Sequence, residues 1–138
     1  MRFTERVAIV TGAASGMALL SSQGYAAEGA RVVLTDVNEV AVQAAAAAIC
    51  AQGGEAIGVP VDVRCYDQVK GAVALALERY GRVDILLNSA GGASSRVFGR
   101  SERFHEMPIE VVDWGLDVNL KGAVYFCHAV LGPMIEQE

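Results

Sequence analysis

The stretch Val7-Ala8-Ile9-Val10-Thr11-Gly12-Ala13-Ala14-Ser15-Gly16-Met17-Ala18 leaves few folds open. Four apolar residues in a row, three of them β-branched, predict a short strand buried on both faces, as in the middle of a parallel sheet. Thr11-Gly12 ends it. Gly12 and Gly16 lack a Cβ, so the backbone there can turn sharply and come close to a bulky anion. A helix is expected next, running to about Glu28 and capped by Gly29. Its first N–H groups and the positive end of its dipole face the turn, which suits a pyrophosphate.

The rest of the chain repeats the strand–helix alternation. Arg31 to Val37 reads as the second strand, with Asp36 near its end. An acidic side chain ~20 residues beyond the glycines is where a dinucleotide-binding turn meets the adenosine ribose. The alternative is that Asp36 is simply a helix cap before Asn38. Asn38 to Gln52 is an alanine-rich helix closed by Gly53-Gly54, and Glu55 to Asp62 is the third strand. Pro60 cannot donate to a ladder, which places this strand at an edge. Asp62 then falls at the carboxyl end, the end that lines the ligand crevice of a doubly wound sheet, although it can equally cap the following helix. Tyr66 to Tyr80 forms the third helix, with Val69, Ala72, Val73, Ala76, Leu77 and Tyr80 on its apolar face.

Val83 to Asn88 reads as the fourth strand, exposed as an apolar edge from Val83 to Leu87, and runs into the small-residue turn Ser89-Ala90-Gly91-Gly92. Gly92 to Met107 reads as a polar loop whose Arg96, Arg100 and Arg103 form a solvated face or, as the alternative, meet an anionic substrate, with His105 on the surface. Pro108 opens a new helical stretch. The last helix is expected over Leu116 to Ile135, with an apolar stripe of Leu120, Ala123, Val124, Cys127, Leu131 and Met134 and with His128 packed beside it in the core. These elements predict an α/β fold: a doubly wound parallel sheet in spatial order 3-2-1-4, with helices on both faces and right-handed crossovers.

At 138 residues the chain is one domain, residues 1–138, with a sizeable core. A net charge of −5 argues against nucleic acid or an anionic membrane as partner. No apolar run reaches the ~18 residues of a membrane span. Arg2, Glu5 and Arg6 interrupt any signal peptide at the start. Cys50, Cys65 and Cys127 lack metal-ligand spacing and read as buried or idle thiols of a reducing compartment, so no metal site and a cytoplasmic location are expected.

Residues Thr11 to Ala18 resemble the cofactor turn Thr-Gly-x-x-x-Gly-x-Gly of the short-chain dehydrogenase/reductase family, with Ala18 in place of the third glycine. Asn88-Ser89-Ala90-Gly91 resembles its Asn-Asn-Ala-Gly signature, and Asn119 in Asp117-Val118-Asn119-Leu120 matches its active-site asparagine. The resemblance implies a Rossmann-type fold and an oxidoreductase that moves a hydride between a nicotinamide cofactor and an alcohol or ketone. It implies cofactor contacts from Gly12, Ser15, Gly16, Met17, Asp36, Val37, Asp62, Val63, Asn88, Ala90 and Gly91. Asp62-Val63 would hold the adenine, while Asn88 would serve the sheet, the nicotinamide ribose, or both. Asn119 would play a supporting catalytic part, its backbone carbonyl holding a water where the helix kinks.

NAD is expected over NADP. Asp36 would repel a 2′-phosphate, and neither Val37 nor Met17 supplies a cation to compensate. The family's catalytic serine and Tyr-x-x-x-Lys pair follow the asparagine helix, and the sequence stops at Glu138 before either. The chain is therefore read as a cofactor-binding half, incomplete at its C-terminal end. The alternative is a catalytically inactive chain that binds a nucleotide or a partner. Its own Tyr66-Asp67-Gln68-Val69-Lys70 opens the third helix at the adenine end and is not taken as catalytic. By resemblance the last helix would also join copies into a homo-oligomer.

Overall fold

The structure, a computed structural model, describes residues 1–137. Four parallel strands form one sheet in the order β3-β2-β1-β4, as the alternation predicts. β1 (Val7–Thr11) is buried along its whole length, because it is flanked on both sides and covered on both faces. β2 (Arg31–Asp36) pairs with it from Val7↔Arg31 to Thr11↔Thr35. β3 (Glu55–Pro60) is the outer strand beside β2, and Pro60 sits at its exposed end, where a missing N–H costs nothing.

Helices α1 (Gly16–Ala27), α2 (Glu39–Ala51) and α3 (Tyr66–Tyr80) return the chain between strands. Two hydrophobic clusters form the core, one on each face of the sheet. The first joins Val7, Ile9 and Val33 to Val69, Val73 and Ala76 of α3 and to Phe126 and Val130. The second joins Val10, Val32 and Leu34 to Ala18 of α1 and to Val42, Ala45, Ala46 and Ile49 of α2. Ala18, at the position of the missing third glycine, is only 3% exposed and packs within this second cluster.

β4 (Ile85–Leu87) is shorter than the expected Val83 to Asn88. The cause is Asp84, whose Oδ2 accepts the Val7 N–H at 2.9 Å, so a side chain does there what a strand carbonyl would do. Nor is Val83 an exposed edge. It is fully buried, and its N–H and C=O are both bound by the Gln137 side-chain amide, at 3.2 and 2.6 Å. Ile85 to Leu87 are half-buried.

The segment from Gly92 to Met107 is more ordered than a polar loop. It contains a one-turn helix, α4 (Ser94–Val97), and a 3-10 turn, Phe104–Glu106. The helical stretch expected after Pro108 is α5 (Ile109–Leu116), and the last helix expected over Leu116 to Ile135 is a π-helical turn over Asp117–Lys121 that continues into α6 (Gly122–Glu136).

The face of α6 that meets the core is not the expected stripe. Gly122, Phe126 and Val130 are buried, while Leu120, Val124 and Leu131 are 61%, 54% and 53% exposed. A Cβ on Gly122 would lie 2.5 Å from the Cγ2 of Val63, so the helix makes contact through a glycine, which a count of large apolar residues passes over. His128 is likewise exposed rather than packed in the core, and its Nδ1 is hydrogen-bonded to the Tyr66 hydroxyl.

Candidate active site

The carboxyl ends of the four strands open into a cleft of about 320 Å³. This is at the small end of the ~300–1,000 Å³ usual for small-molecule sites. Gly12, Asp36, Val37, Asp62, Val63, Ala90 and Gly91 line it together, although they come from four separate strand ends. Of the other residues expected at the site, Ser15 is the N-cap of α1, Gly16 and Met17 begin that helix, Asn88 follows β4, and Asn119 lies in the π-helical turn.

The first turn is held against the fourth-strand turn by Thr11, the residue that opens it. Thr11 is 1% exposed, and its Oγ1 accepts the N–H groups of Ser89 and Ala90, at 3.0 and 2.9 Å. The two small-residue turns therefore meet backbone to side chain. Gly12 completes the contact: its φ is +65°, and an added Cβ would lie 2.8 Å from the Ala90 Cα. Gly16 has a similar φ of +60° but open space around it. Beyond it, α1 has no side-chain cap and no acidic residue in its first turn, so its first N–H groups and its positive dipole end are left for a ligand.

Asp36 does two jobs. Its Oδ2 accepts the Ala14 N–H at 3.1 Å, tying β2 to the first turn, and its Oδ1 accepts the Asn38 N–H at 2.9 Å. The N-cap of α2 is Asn38 itself, whose side chain accepts the Ala41 N–H at 3.1 Å. Asp36 is thus fixed at the cleft wall independently of the cap.

Asp62 is gripped by Arg64, which also lines the cleft. Nε reaches its two oxygens at 2.9 and 3.1 Å and Nη2 reaches Oδ2 at 2.6 Å. The Arg64 guanidinium holds the Asp62 carboxyl below the usual carboxylate range, against a smaller opposing effect of burial. The signal for this was present in the sequence as an acid and a base two residues apart.

Asn119 turns its side chain onto the fourth-strand turn. Oδ1 accepts the Gly92 N–H at 2.8 Å, and Nδ2 donates to the carbonyls of Gly92 and Gly115, at 2.9 and 2.8 Å. A Cβ on Gly91 would collide with that Oδ1 at 2.5 Å, so a glycine is required beside it. The π-helical turn is the departure from regular helix that the sequence reading expected at this asparagine. Such wide turns are frequent at functional sites. Asn88 is exposed and donates to the Cys127 sulfur at 3.4 Å.

The far wall is apolar and was not foreseen. Val97 of α4 and Trp114 of α5 line the cleft, and Phe98 packs edge-on against Trp114 with ring centroids 5.5 Å apart. Tyr66 and Lys70 do not line the cleft. Tyr66 bonds His128, while Lys70 pairs with Asp67 at 3.0 Å.

Comparison with known proteins agrees with this geometry. The chain is 39% identical over 126 residues to the short-chain reductase protein NovJ of Streptomyces niveus, covering 91% of this chain and 46% of that protein. It is 36% identical to D-threitol dehydrogenase of Mycolicibacterium smegmatis, covering 98% of this chain and 50% of that one. A crystal structure of a short-chain type dehydrogenase/reductase from Mycobacterium marinum superposes with a TM-score of 0.89 at 27% identity, over 98% of this chain and 52% of that chain. The chain thus spans about half the length of the relatives it matches. The family described as short chain dehydrogenase matches residues 6–138, and the chain belongs to that family.

Proposed function

We propose that this chain is the cofactor-binding half of an NAD-dependent oxidoreductase that interconverts an alcohol and a ketone. The observation that carries the reading is Asp36: a carboxylate at the end of β2, on the cleft wall, anchored to the Ala14 N–H of the first turn. The residues present fit a dinucleotide. α1 offers uncapped N–H groups for its pyrophosphate, the open space at Gly16 admits it, and Asp36 accepts ribose hydroxyls.

When bound, a nicotinamide cofactor supplies the hydride chemistry. The chain's own residues bind and orient. Thr11 and Asn119 fix the Ser89 to Gly92 backbone from opposite sides, so that it forms a rigid floor to the cleft. Val97 and Trp114 add apolar surface to the cleft lining, which favours a ligand's rings over water there. NAD is preferred over NADP because Asp36 would face a 2′-phosphate with a like charge.

The test is a titration with NADH and NADPH. Trp114 is the chain's only tryptophan and lines the cleft, so its fluorescence reports binding directly. NADH is expected to bind at least tenfold more tightly (about 1.4 kcal/mol), and Asp36→Ala is expected to narrow that margin. Equal binding of both cofactors by the unaltered chain would refute the assignment.

A second reading, a chain that binds nucleotide without catalysis, is favoured by one observation. Its single Tyr-x-x-x-Lys, Tyr66 to Lys70, is engaged with His128 and Asp67 away from the cleft. NAD binding without oxidation of any alcohol would support it. As for partners, the exposed apolar residues Leu120 of the π-helical turn and Val124 and Leu131 of α6 suit a contact between copies, which light scattering would detect as a dimer or larger.

A further inference from the structure

Asp36 and Asp62 both line the cleft, and Arg64 is the one basic side chain among the described residues that do so. Together with the side-chain fork, the Arg64 N–H donates to Asp62 Oδ1 at 3.0 Å, so Asp62 receives its donors from a single residue. Asp36 has no such cation; its oxygens accept only backbone N–H groups. The charge of Asp117 also reaches Arg64. Without Arg64 the polar wall would carry carboxylates alone, a poor host for a phosphorylated ligand.

We propose that Arg64 is a specificity-determining residue of the cleft: by cancelling the charge of Asp62, it admits anionic adenine nucleotides to a wall otherwise lined by acids. The inference rests on the nucleotide reading above and adds a residue to it. Arg64 acts through Asp62 and the local field, and is therefore a positioning residue. Its charge matters more than its shape, which sets Arg64→Lys and Arg64→Gln apart.

The experiment is calorimetric titration of the chain with AMP and with adenosine, at low and at high salt, for the unaltered protein, Arg64→Gln and Arg64→Lys. Arg64→Gln is expected to weaken AMP binding about five- to tenfold at low salt, with a smaller loss at high salt, because the effect is a screened charge. Adenosine, which is neutral, is expected to change less than twofold, roughly, on the same grounds. Arg64→Lys is expected to keep most of the AMP affinity. A thermal melt of each variant shows that the fold is retained, and the AMP-to-adenosine ratio is a readout that a merely structural role would not move. Equal loss for AMP and adenosine, or no loss for either, overturns the inference while leaving the nucleotide reading intact. Failure of the unaltered chain to bind AMP overturns both.

Discussion

Gly12 and Gly16 look equivalent in the sequence, and the structure makes them a controlled pair. Both have positive φ, +65° and +60°, so alanine at either position carries the left-handed penalty of about 1–2 kcal/mol. Only Gly12 is also crowded: its added Cβ would sit 2.8 Å from the Ala90 Cα and 3.0 Å from the Ala90 nitrogen. Those are backbone atoms held by Thr11, so they cannot swing away as a flexible side chain can. Overpacking of this kind costs about 1–3 kcal/mol more. Gly16→Ala should therefore cost about 1–2 kcal/mol and Gly12→Ala about 2–5 kcal/mol. For a domain of this size that corresponds to a fall in Tm of roughly 3–7 °C and roughly 7–18 °C. Urea and thermal unfolding followed by circular dichroism measure both. Equal destabilisation by the two substitutions would refute the close approach of the first and fourth turns. A Gly12→Ala chain that remains as stable as the unaltered one would refute the left-handed backbone as well.

Asp84 offers a test in pH. Burial pushes its carboxyl up, but Arg82, the Val7 N–H and Arg6 together pull it down from 3.8 to about 2. The depressed value contributes about 2 kcal/mol, present above the unfolded pKa near 4 and lost as pH falls through about 2. Asp84→Asn should lose stability at neutral pH and show a flatter acid limb between those values in the same melts; an unchanged acid limb would contradict it. Asn119→Ala removes three hydrogen bonds to Gly92 and Gly115 and should cost about 1–2 kcal/mol, with weaker NADH quenching of Trp114. Unaltered NADH binding would show that the Gly91-Gly92 turn holds its shape without it. Tyr66→Phe should leave NADH binding unchanged, since Tyr66 reaches His128 and not the cleft; a clear loss of affinity would contradict that placement.

Much of the fold was legible because the signals were local. The run Val7 to Val10, the glycines and the strand–helix alternation mark the elements of a parallel sheet, the proline at the end of β3 marks an edge, and the doubly wound pattern then supplies the order. The α6 face was not legible, because its contact with Val63 is made by Gly122, and Val124 and Leu131, which the periodicity placed on the core side, point outward while Phe126 and Val130 point in. The shortened β4 was hidden for a similar reason: Asp84 replaces a strand hydrogen bond with a side-chain one. In the cleft, the residues on the strand ends were readable from spacing and resemblance. Trp114 and Val97 were not, because they arrive from a segment that read as loop and helix with no feature pointing to the sheet.

The two core clusters differ in how far apart their parts lie along the chain. The buried residues of the face covered by α1 and α2 all fall between Val10 and Ala56, whereas the opposite face needs Phe126 and Val130 to close. Contacts between near neighbours in sequence form faster than distant ones. As the chain emerges during synthesis, the α1–α2 side can therefore consolidate first, while the face of Val7, Ile9 and Val33 is covered by α3 alone until α6 arrives. The order of assembly is written into the placement of the helices, and the interval before α6 arrives is when that face still shows apolar surface to solvent.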